Sequence, residues 1–399
     1  ELVSGSAAGD PQLAFVGHML SLLFTTAILV ALRDRHYSGL PTWLLGVGLV
    51  VAAVVHPVLW NLSYPDIYVA AIAWGQACLV GGLLVAFPVV LGTEIDWRRS
   101  ALAAVLWSLA IGSRYTLAPA VLVCVLLTAV GAMKSEASTA RRLRLGVAIG
   151  LPFVLIVTSL GAYNFARFGR AAETGLQLQL TPNWDYTAIA RDGGIFSVRY
   201  VAPNLIYYGV WPFKIGAEFP FLEVQRGESL SVRAFLRAAE IPDAYSVEEI
   251  NGLLLAVPFS LFGLLWVVRR ACGAPPGEQN GSTARPQSFR DRRDLERISL
   301  SMLLAAGMTG LLILAYRHVA NRFMMDFSPF LIIPAVLGAW EFHAVNRGRP
   351  ILGPLSAVLI LVLAAASVAT SILLGVGGPA SRIDDYNPTL WAFLSNLGK

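Results

Sequence analysis

Apolar stretches of about 20 residues, the length that crosses the hydrocarbon core of a bilayer as a helix, recur along this chain. They restrict its fold more than any other feature. Because lipid offers no hydrogen-bond partner to unpaired backbone groups, each stretch is expected to be an α-helix. We predict an all-α polytopic membrane protein with about ten transmembrane helices. They are predicted at 12–32, 41–60, 67–91, 100–113, 116–133, 145–165, 251–268, 298–316, 327–345 and 351–375.

The composition excludes an ordinary soluble domain. Of the 399 residues, 56% are hydrophobic and 14% are charged, whereas soluble domains carry about 25% charged residues. The formal net charge is +5. In a membrane protein, Lys and Arg collect at the cytoplasmic ends of helices, so this excess predicts no nucleic-acid partner. The sequence lacks the alternating runs of about ten residues that are typical of an outer-membrane barrel.

The basic residues predict the orientation of the spans, because Lys and Arg concentrate in short cytoplasmic loops. With ten spans and an external start, more than half of the 30 Lys and Arg residues fall in cytoplasmic turns. We therefore predict that both ends of this chain lie outside. Two interpretations fit 100–113 and 116–133: one long kinked helix, or two helices joined by a tight external turn. We favour the turn.

The segments outside the membrane divide the chain into three predicted domains. These are 1–166, a bundle of six spans; 167–250, an external cap; and 251–399, a bundle of four spans. The cap segment carries too many aromatic residues for a disordered linker. Within it, 232–239 has helical periodicity, and Ser246 with the acids that follow resembles a helix start. The loop 271–297 is rich in Gly, Pro, Ser and Arg, and we predict a mobile cytoplasmic segment.

Charged and aromatic residues at the predicted outer face are the main functional candidates, because ionisable groups at a membrane are costly. The planar guanidinium of Arg matches phosphate oxygens bidentately, so several Arg at one face predict a phosphate-bearing lipid ligand. Aromatic residues of the cap are candidates for contact with a sugar or a lipid chain. A single interfacial Arg is also explained by snorkelling to the headgroups. The predicted substrate-binding residues are Arg114, Arg167, Arg170, Tyr207, Tyr208, Trp211, Arg317, His318, Arg322 and Asp326.

Asp66 is the predicted catalytic residue. It precedes a long apolar span, where a carboxylate also stabilises the helix N-terminus through the helix dipole. The alternative is a general base for an acceptor hydroxyl, and the same two interpretations apply to Asp326. His18 lies within the first span and is interpreted as packed in the bundle. Cysteine and histidine spacing predicts no metal site, and a divalent metal cofactor stays open.

Several segments together resemble one family. They are YPDIYVAAIAWG at 64–75, GSRYTL at 112–117, YNFARFGR at 163–170 with ETGLQLQ at 173–179, and RFMMDFSPFL at 322–331. In this order they resemble bacterial polytopic proteins of the GT-C glycosyltransferase superfamily, near the dolichyl- or polyprenyl-phosphate-mannose transferases. The likeness runs over most of the chain. It implies a GT-C-like bundle in the bacterial cytoplasmic membrane, in contact with membrane lipids. The implied reaction moves a sugar from a polyprenyl-phosphate donor to an acceptor glycan, lipid or protein on the outer face.

The resemblance also implies roles for individual residues. The stretch 12–32 corresponds to a second span of the family, so a first span with its acidic external loop is expected before Glu1. Asp66 stands where some members carry a further acid. Arg317 and Arg322 match by position the residues that hold the lipid phosphate. Two other functions stay open: a transporter or flippase for a lipid-linked molecule, which should carry acids in mid-span, and a non-catalytic assembly subunit.

Overall fold

Most of the chain is described by a computed structural model. It covers residues 9–55, 57–63, 65–91, 96–134, 138–173, 194–217, 219–226, 245–271, 289–377 and 388–396. The helix predicted at 232–239 and residues 272–288 of the predicted mobile loop lie outside these ranges. Residues 289–297 of that loop belong to a helix instead, which begins at Phe289 and continues into the membrane-spanning sequence.

The described residues are mostly helical. The α-helices in chain order are α1 (Asp10–His36), α2 (Thr42–Val54), α3 (Val58–Ser63), α4 (Ile67–Val90), α5 (Trp97–Ser113), α6 (Ala118–Lys134), α7 (Thr139–Phe168), α8 (Val201–Val210), α9 (Leu253–Ala256), α10 (Leu261–Ala271), α11 (Phe289–Leu314), α12 (Ser328–Asn346), α13 (Leu352–Gly377) and α14 (Pro388–Asn396). Short 3₁₀-helices lie at Tyr115–Leu117, Val198–Tyr200, Pro258–Ser260 and Asn321–Asp326.

Seven helical stretches among the described residues are long and apolar enough to cross a membrane; they lie in α1, α4, α6, α7, α11, α12 and α13. The protein is an all-α, multi-pass membrane protein, as the sequence predicts. The other three predicted spans coincide with shorter helices. The stretch 41–60 is divided between α2 and α3, 100–113 forms α5, and 251–268 is divided by the 3₁₀-helix Pro258–Ser260. A total of ten spans therefore stays a prediction.

Helices α4 and α12 form the centre of the bundle. In their most apolar windows, 72% of the α4 residues and 78% of the α12 residues are buried, against 6% for α7. Helices α1, α5 and α6 pack on α4, and α10, α11 and α13 pack on α12. A helix that is apolar on all sides is expected either inside the bundle or against lipid. Burial distinguishes the two cases, so α7 faces lipid over most of its surface.

Short strands bring distant segments together at one end of the bundle. Strands β1 (Lys214–Ile215) and β2 (Leu222–Glu223) pair antiparallel, as do β3 (Gln225–Arg226) and β5 (Glu249–Ile250). Strand β4 (Ser246–Val247) pairs in parallel with β6 (His318–Val319). The helix start predicted at Ser246 is therefore wrong, because the backbone there is extended and hydrogen-bonded to the segment between α11 and α12.

The close contact between α10 and α12 yields a first prediction. A Cβ at Gly338 would overlap the carbonyl oxygen of Phe262, and small residues allow such close approach between membrane helices. Gly338→Ala should lower the free energy of unfolding by about 1–3 kcal/mol through overpacking. The measurement is the thermal unfolding temperature of the detergent-purified protein.

Gly310→Ala is the matched control. Gly310 is also inside a helix, α11, but a Cβ added there would point into open space. This variant should unfold at the wild-type temperature or above it, since Ala is the better helix former. Equal destabilisation by both variants would contradict the packing explanation.

Candidate functional site

Charged side chains from four segments meet at one end of the bundle. Helix α4 begins here, α5 ends here, and the segment from β6 to α12 crosses the same end, beside strands β4 and β5. We call this group the polar cluster. It consists of Asp66, Arg114, Glu248, His318, Arg322 and Asp326.

Glu248 connects two of the predicted residues. Both terminal nitrogens of Arg322 donate to its carboxylate, Nη2 to Oε1 at 2.9 Å and Nη1 to Oε2. His318 Nε2 lies 2.9 Å from the same Oε1. Burial raises the pKa of Glu248, but the hydrogen bonds with His318 and Arg322 and their charges outweigh it and lower the pKa to about 2. Glu248 is therefore a carboxylate at neutral pH, held in a charge-assisted fork.

Arg114 and Asp326 form a second, deeper ion pair. Arg114 Nε donates to Asp326 Oδ1 at 2.5 Å, and the Thr116 hydroxyl donates to Oδ2 at 2.7 Å. The Asp326 side chain has no exposed surface. Burial raises its pKa, and the neighbouring Arg114 and Thr116 act in the opposite direction. Both carboxylate oxygens are occupied by protein donors, so Asp326 fixes Arg114 and the start of α12 rather than facing solvent.

Asp66 caps helix α4. Its Oδ1 accepts a hydrogen bond of 2.7 Å from the backbone amide of Val69, which is the capping interpretation given by the sequence. Burial lowers the pKa of the Arg322 guanidinium, but its hydrogen bonds with Glu248, the charge of Glu248 and, to a smaller extent, the charge of Asp66 outweigh it and raise the pKa. The Arg322 Cζ atom lies 5.9 Å from the centroid of the Tyr68 ring. The first turn of α4 is therefore part of the polar cluster.

Phe323 separates the two ion pairs. The Cζ atoms of Arg114 and Arg322 lie 5.2 Å and 5.1 Å from the centroid of its ring, within the range of a cation–π interaction. One aromatic ring thus contacts both guanidinium groups. The arrangement holds two positive charges near each other, and each is balanced by its own acid.

No protein-family model, curated protein or solved structure matches this chain. Among the described residues, no group of three or more His, Cys, Asp or Glu side chains could hold a metal ion.

The structure places Arg167 and Arg170 away from the polar cluster. Arg167 donates to the Tyr163 hydroxyl at 2.9 Å at the end of α7, and Arg170 follows it on the exposed surface. No described contact joins either to the polar cluster. Arg317 is buried, with its backbone amide bonded to the Ile195 carbonyl. The predicted roles of these residues stay predictions.

The predicted aromatic residues are buried in α8 and just after it. The rings of Tyr207 and Trp211 lie 4.9 Å apart, and both side chains are almost fully inside the protein. The Tyr208 hydroxyl accepts a hydrogen bond from the Ala320 amide. Tyr208 therefore contacts the segment that carries the polar cluster. Their contact with a sugar or lipid chain stays a prediction.

Sequence reasoning missed Glu248 and Thr116. Glu248 is one of two adjacent acids before a span, but about 70 residues separate it from its partners, His318 and Arg322. Only the pairing of β4 with β6 brings them together. Thr116 lies in the segment 112–117 that also supplies Arg114. A hydroxyl two residues after an Arg is a weak signal by itself.

The buried pair yields a second prediction. Asp326→Ala leaves Arg114 unpaired in the protein interior, which should cost about 3–5 kcal/mol of stability. Replacing both residues, Arg114→Met with Asp326→Leu, should recover most of this loss because no unpaired charge remains. Thermal unfolding of the single and double variants measures the coupling.

The exposed pair Lys214–Glu223 is the control for that experiment. Its nitrogen and oxygen lie 3.1 Å apart, but both side chains are at least half exposed. Glu223→Ala should change stability by at most about 1 kcal/mol. A loss as large as that of Asp326→Ala would show that ion-pair burial does not decide the effect.

The lowered pKa of Glu248 yields a third prediction. A folded-state pKa of about 2 against an ordinary value of 4.5 means that Glu248 stabilises the fold above pH 4.5. This contribution is lost as the pH falls from 4.5 towards 2. Glu248→Gln should therefore lower the unfolding temperature at pH 7, and its difference from wild type should shrink below pH 4.5. A difference that is constant across this range would contradict the assignment.

Proposed function

We propose that this membrane protein is a GT-C-like glycosyltransferase that moves a sugar from a polyprenyl-phosphate donor to an acceptor glycan, lipid or protein. One observation carries the proposal. Three of the segments that resemble the family, 64–75, 112–117 and 322–331, each supply side chains to the polar cluster. Segments that are far apart in sequence and share a family likeness are expected to converge where the protein acts.

For this transfer reaction, the main task of the protein is to place charged groups beside the reacting atoms. The acceptor oxygen attacks the anomeric carbon of the sugar, the bond from that carbon to the phosphate oxygen breaks, and polyprenyl phosphate leaves with the bonding electrons. The acceptor hydroxyl loses its proton to a base. A guanidinium beside the leaving phosphate stabilises the charge that develops there. Arg322 fits this role, because its fork already holds an anionic carboxylate in a bidentate pair.

Asp66 is the proposed base. One of its oxygens, Oδ1, caps α4. The other, Oδ2, makes no hydrogen bond with the described residues and keeps its capacity to accept a proton. The capping bond fixes the position of the carboxylate, so the two roles that the sequence left as alternatives are compatible. A base must reach the proton directly or through one water, and the exposed ring of Tyr68 marks open surface beside Asp66.

The number of spans and their orientation in the membrane are part of the same proposal. With ten spans, the polar cluster lies on the outer face of the bacterial cytoplasmic membrane, as do both ends of this chain. The donor then approaches from the bilayer with its phosphate at headgroup depth, where Arg322 and Tyr68 lie at the end of the bundle.

Arg322 is the residue on which to test the proposal. Arg322→Gln removes the phosphate partner and should lower the transfer rate by about 10²–10³-fold, as loss of one electrostatic stabiliser typically does. Arg322→Lys keeps the charge without the fork and should recover part of the rate. The assay measures radiolabelled sugar moved from polyprenyl-phosphate hexoses and pentoses to endogenous acceptors, in membrane vesicles that contain the full-length protein.

Arg98→Gln is the control, because Arg98 is exposed at the start of α5 and lies at the opposite end of that helix from Arg114. It should transfer sugar at the wild-type rate. Each variant is first shown to be folded at the assay temperature by its thermal unfolding curve, so that lost activity is not lost fold. Wild-type rates in folded Arg322→Gln would overturn the assignment of Arg322. Absence of transfer from every donor by the wild-type protein would favour the assembly subunit or the transporter.

A further inference from the structure

Helix α14 carries an apolar stripe, although none of its nine residues, all of them described, is buried. Its sequence, PTLWAFLSN, contains no charged residue. Four large apolar side chains follow one another around the helix and, at about 100° per residue, cover about 160° of its circumference. In order around the helix they are Phe393, Leu390, Leu394 and Trp391. Polar or small residues occupy the remaining sector, so α14 has one apolar face.

The protein covers only one edge of this face. The rings of Trp391 and Phe219 pack edge to face, with their centroids 5.1 Å apart. At the other edge, Leu390 is 42% exposed and Phe393 is 61% exposed. A helix of this length is marginal in water by itself and depends on burial of its apolar face. Helix α14 therefore calls for a second partner along Leu390 and Phe393.

The contacts of α14 place it beside the end of a membrane-spanning helix. Helix α13 has 26 residues, which is about 39 Å at 1.5 Å per residue and exceeds the hydrocarbon core of about 30 Å. A helix of this length reaches both boundaries of the bilayer, so its last residue, Gly377, lies near one of them. A Cβ on Gly377 would lie 2.6 Å from the Pro220 Cγ atom. Because Pro220 follows Phe219, the partner of Trp391, these contacts bring α14 to the depth of the headgroups.

The length and composition of α14 fit a position along the bilayer surface. Its nine residues extend about 13 Å as a helix, which is too short to cross the hydrocarbon core. Trp is enriched at the boundary between membrane and water, where apolar and polar surroundings meet. An apolar face without charges can lie against lipid without the cost of burying an ionised group. The bilayer surface is thus the partner whose chemistry and position both match the exposed edge of α14.

We propose that α14 is an interfacial helix, which lies along the bilayer surface at the C-terminal end of α13. Leu390 and Phe393 lie among the headgroups and the upper acyl chains, and Ala392 faces water. Through the contact of Trp391 with Phe219, α14 also holds the hairpin of β1 and β2 at that surface. The proposal does not rest on sugar transfer, so its failure and the failure of the proposed function are separate results.

Photo-crosslinking of the full-length protein tests this position directly. A benzophenone amino acid replaces Phe393 in one variant and Leu390 in another, in vesicles of phosphatidylethanolamine and phosphatidylglycerol. On irradiation benzophenone inserts into nearby C–H bonds, so a probe among acyl chains forms lipid adducts. Mass spectrometry detects these adducts on the α14 peptide. Both positions should yield lipid adducts.

Ala392 is the matched control position, because it is exposed and lies almost opposite Leu390 on the same helix. The probe at this position should yield several times less lipid adduct. Equal adduct formation at Ala392 and Leu390, or none at Leu390 and Phe393, would contradict the proposal. A crosslinked dimer in place of lipid adducts would overturn it in favour of a second copy of the chain.

Hydrogen exchange in the same vesicles measures how far the lipid contact stabilises the helix. Phe393→Asn removes the most exposed large apolar side chain of α14. It should speed amide exchange in α14 by about tenfold, the factor expected when a partly buried aromatic side chain is lost. Unchanged exchange in this variant would overturn the proposal.

Thr389→Asn is the control for the exchange experiment. Thr389 is exposed in the polar sector of the helix, and Phe, Thr and Asn have similar helix propensities. The amides of α14 should therefore exchange at the wild-type rate in this variant. Equal acceleration by both substitutions would show that the apolar face does not hold the helix in place. Both positions are exposed, so neither substitution disturbs the packing of the bundle.

Discussion

Polar groups inside a membrane bundle need partners from the protein itself, and the segment between α11 and α12 meets this requirement with side chains. At the end of α11, the Asn204 side chain donates hydrogen bonds to the carbonyls of Leu314 and Tyr316, at 2.7 Å and 2.8 Å. Gln76 donates to the Met325 carbonyl at 2.7 Å. Buried backbone groups outside helices need such partners from the protein. These bonds fix the backbone from which the polar cluster projects.

Side chains of the same segment face two different environments. Asp326 turns towards Arg114 and Thr116 on the α5 side, whereas Met325 and Ser328 line a mainly apolar cavity beside α1. Residues adjacent in sequence thus separate a charged surface from a mainly apolar interior.

The helices could be predicted from the sequence because lipid leaves the backbone only one local solution. The sites could be predicted only in part. Arg114, Arg322 and Asp326 are visible as charges beside apolar stretches, a local signal. The role of Glu248 has no such local signal, because it depends on the parallel pairing of β4 with β6. Each of these strands is two residues long, which is too short to show an alternating sequence pattern. The burial of Tyr207 was equally hidden, since an aromatic residue in a cap segment has the same sequence signal whether it faces ligand or core.

Charge balance in the polar cluster indicates which contact must change when an anionic ligand binds. Arg114 donates to Asp326 through its Nε, whereas Arg322 presents both terminal nitrogens to Glu248, so a phosphate that binds these two nitrogens bidentately must replace this carboxylate. Asp326 has no exposed surface and is held by two donors, whereas the Glu248 side chain is 39% exposed. Removing Asp326 from its partners would leave a buried charge uncompensated, at high cost, while Glu248 can exchange its partners for water. The exchange is therefore expected at Arg322, where the carboxylate of Glu248 holds the place that a phosphate would take.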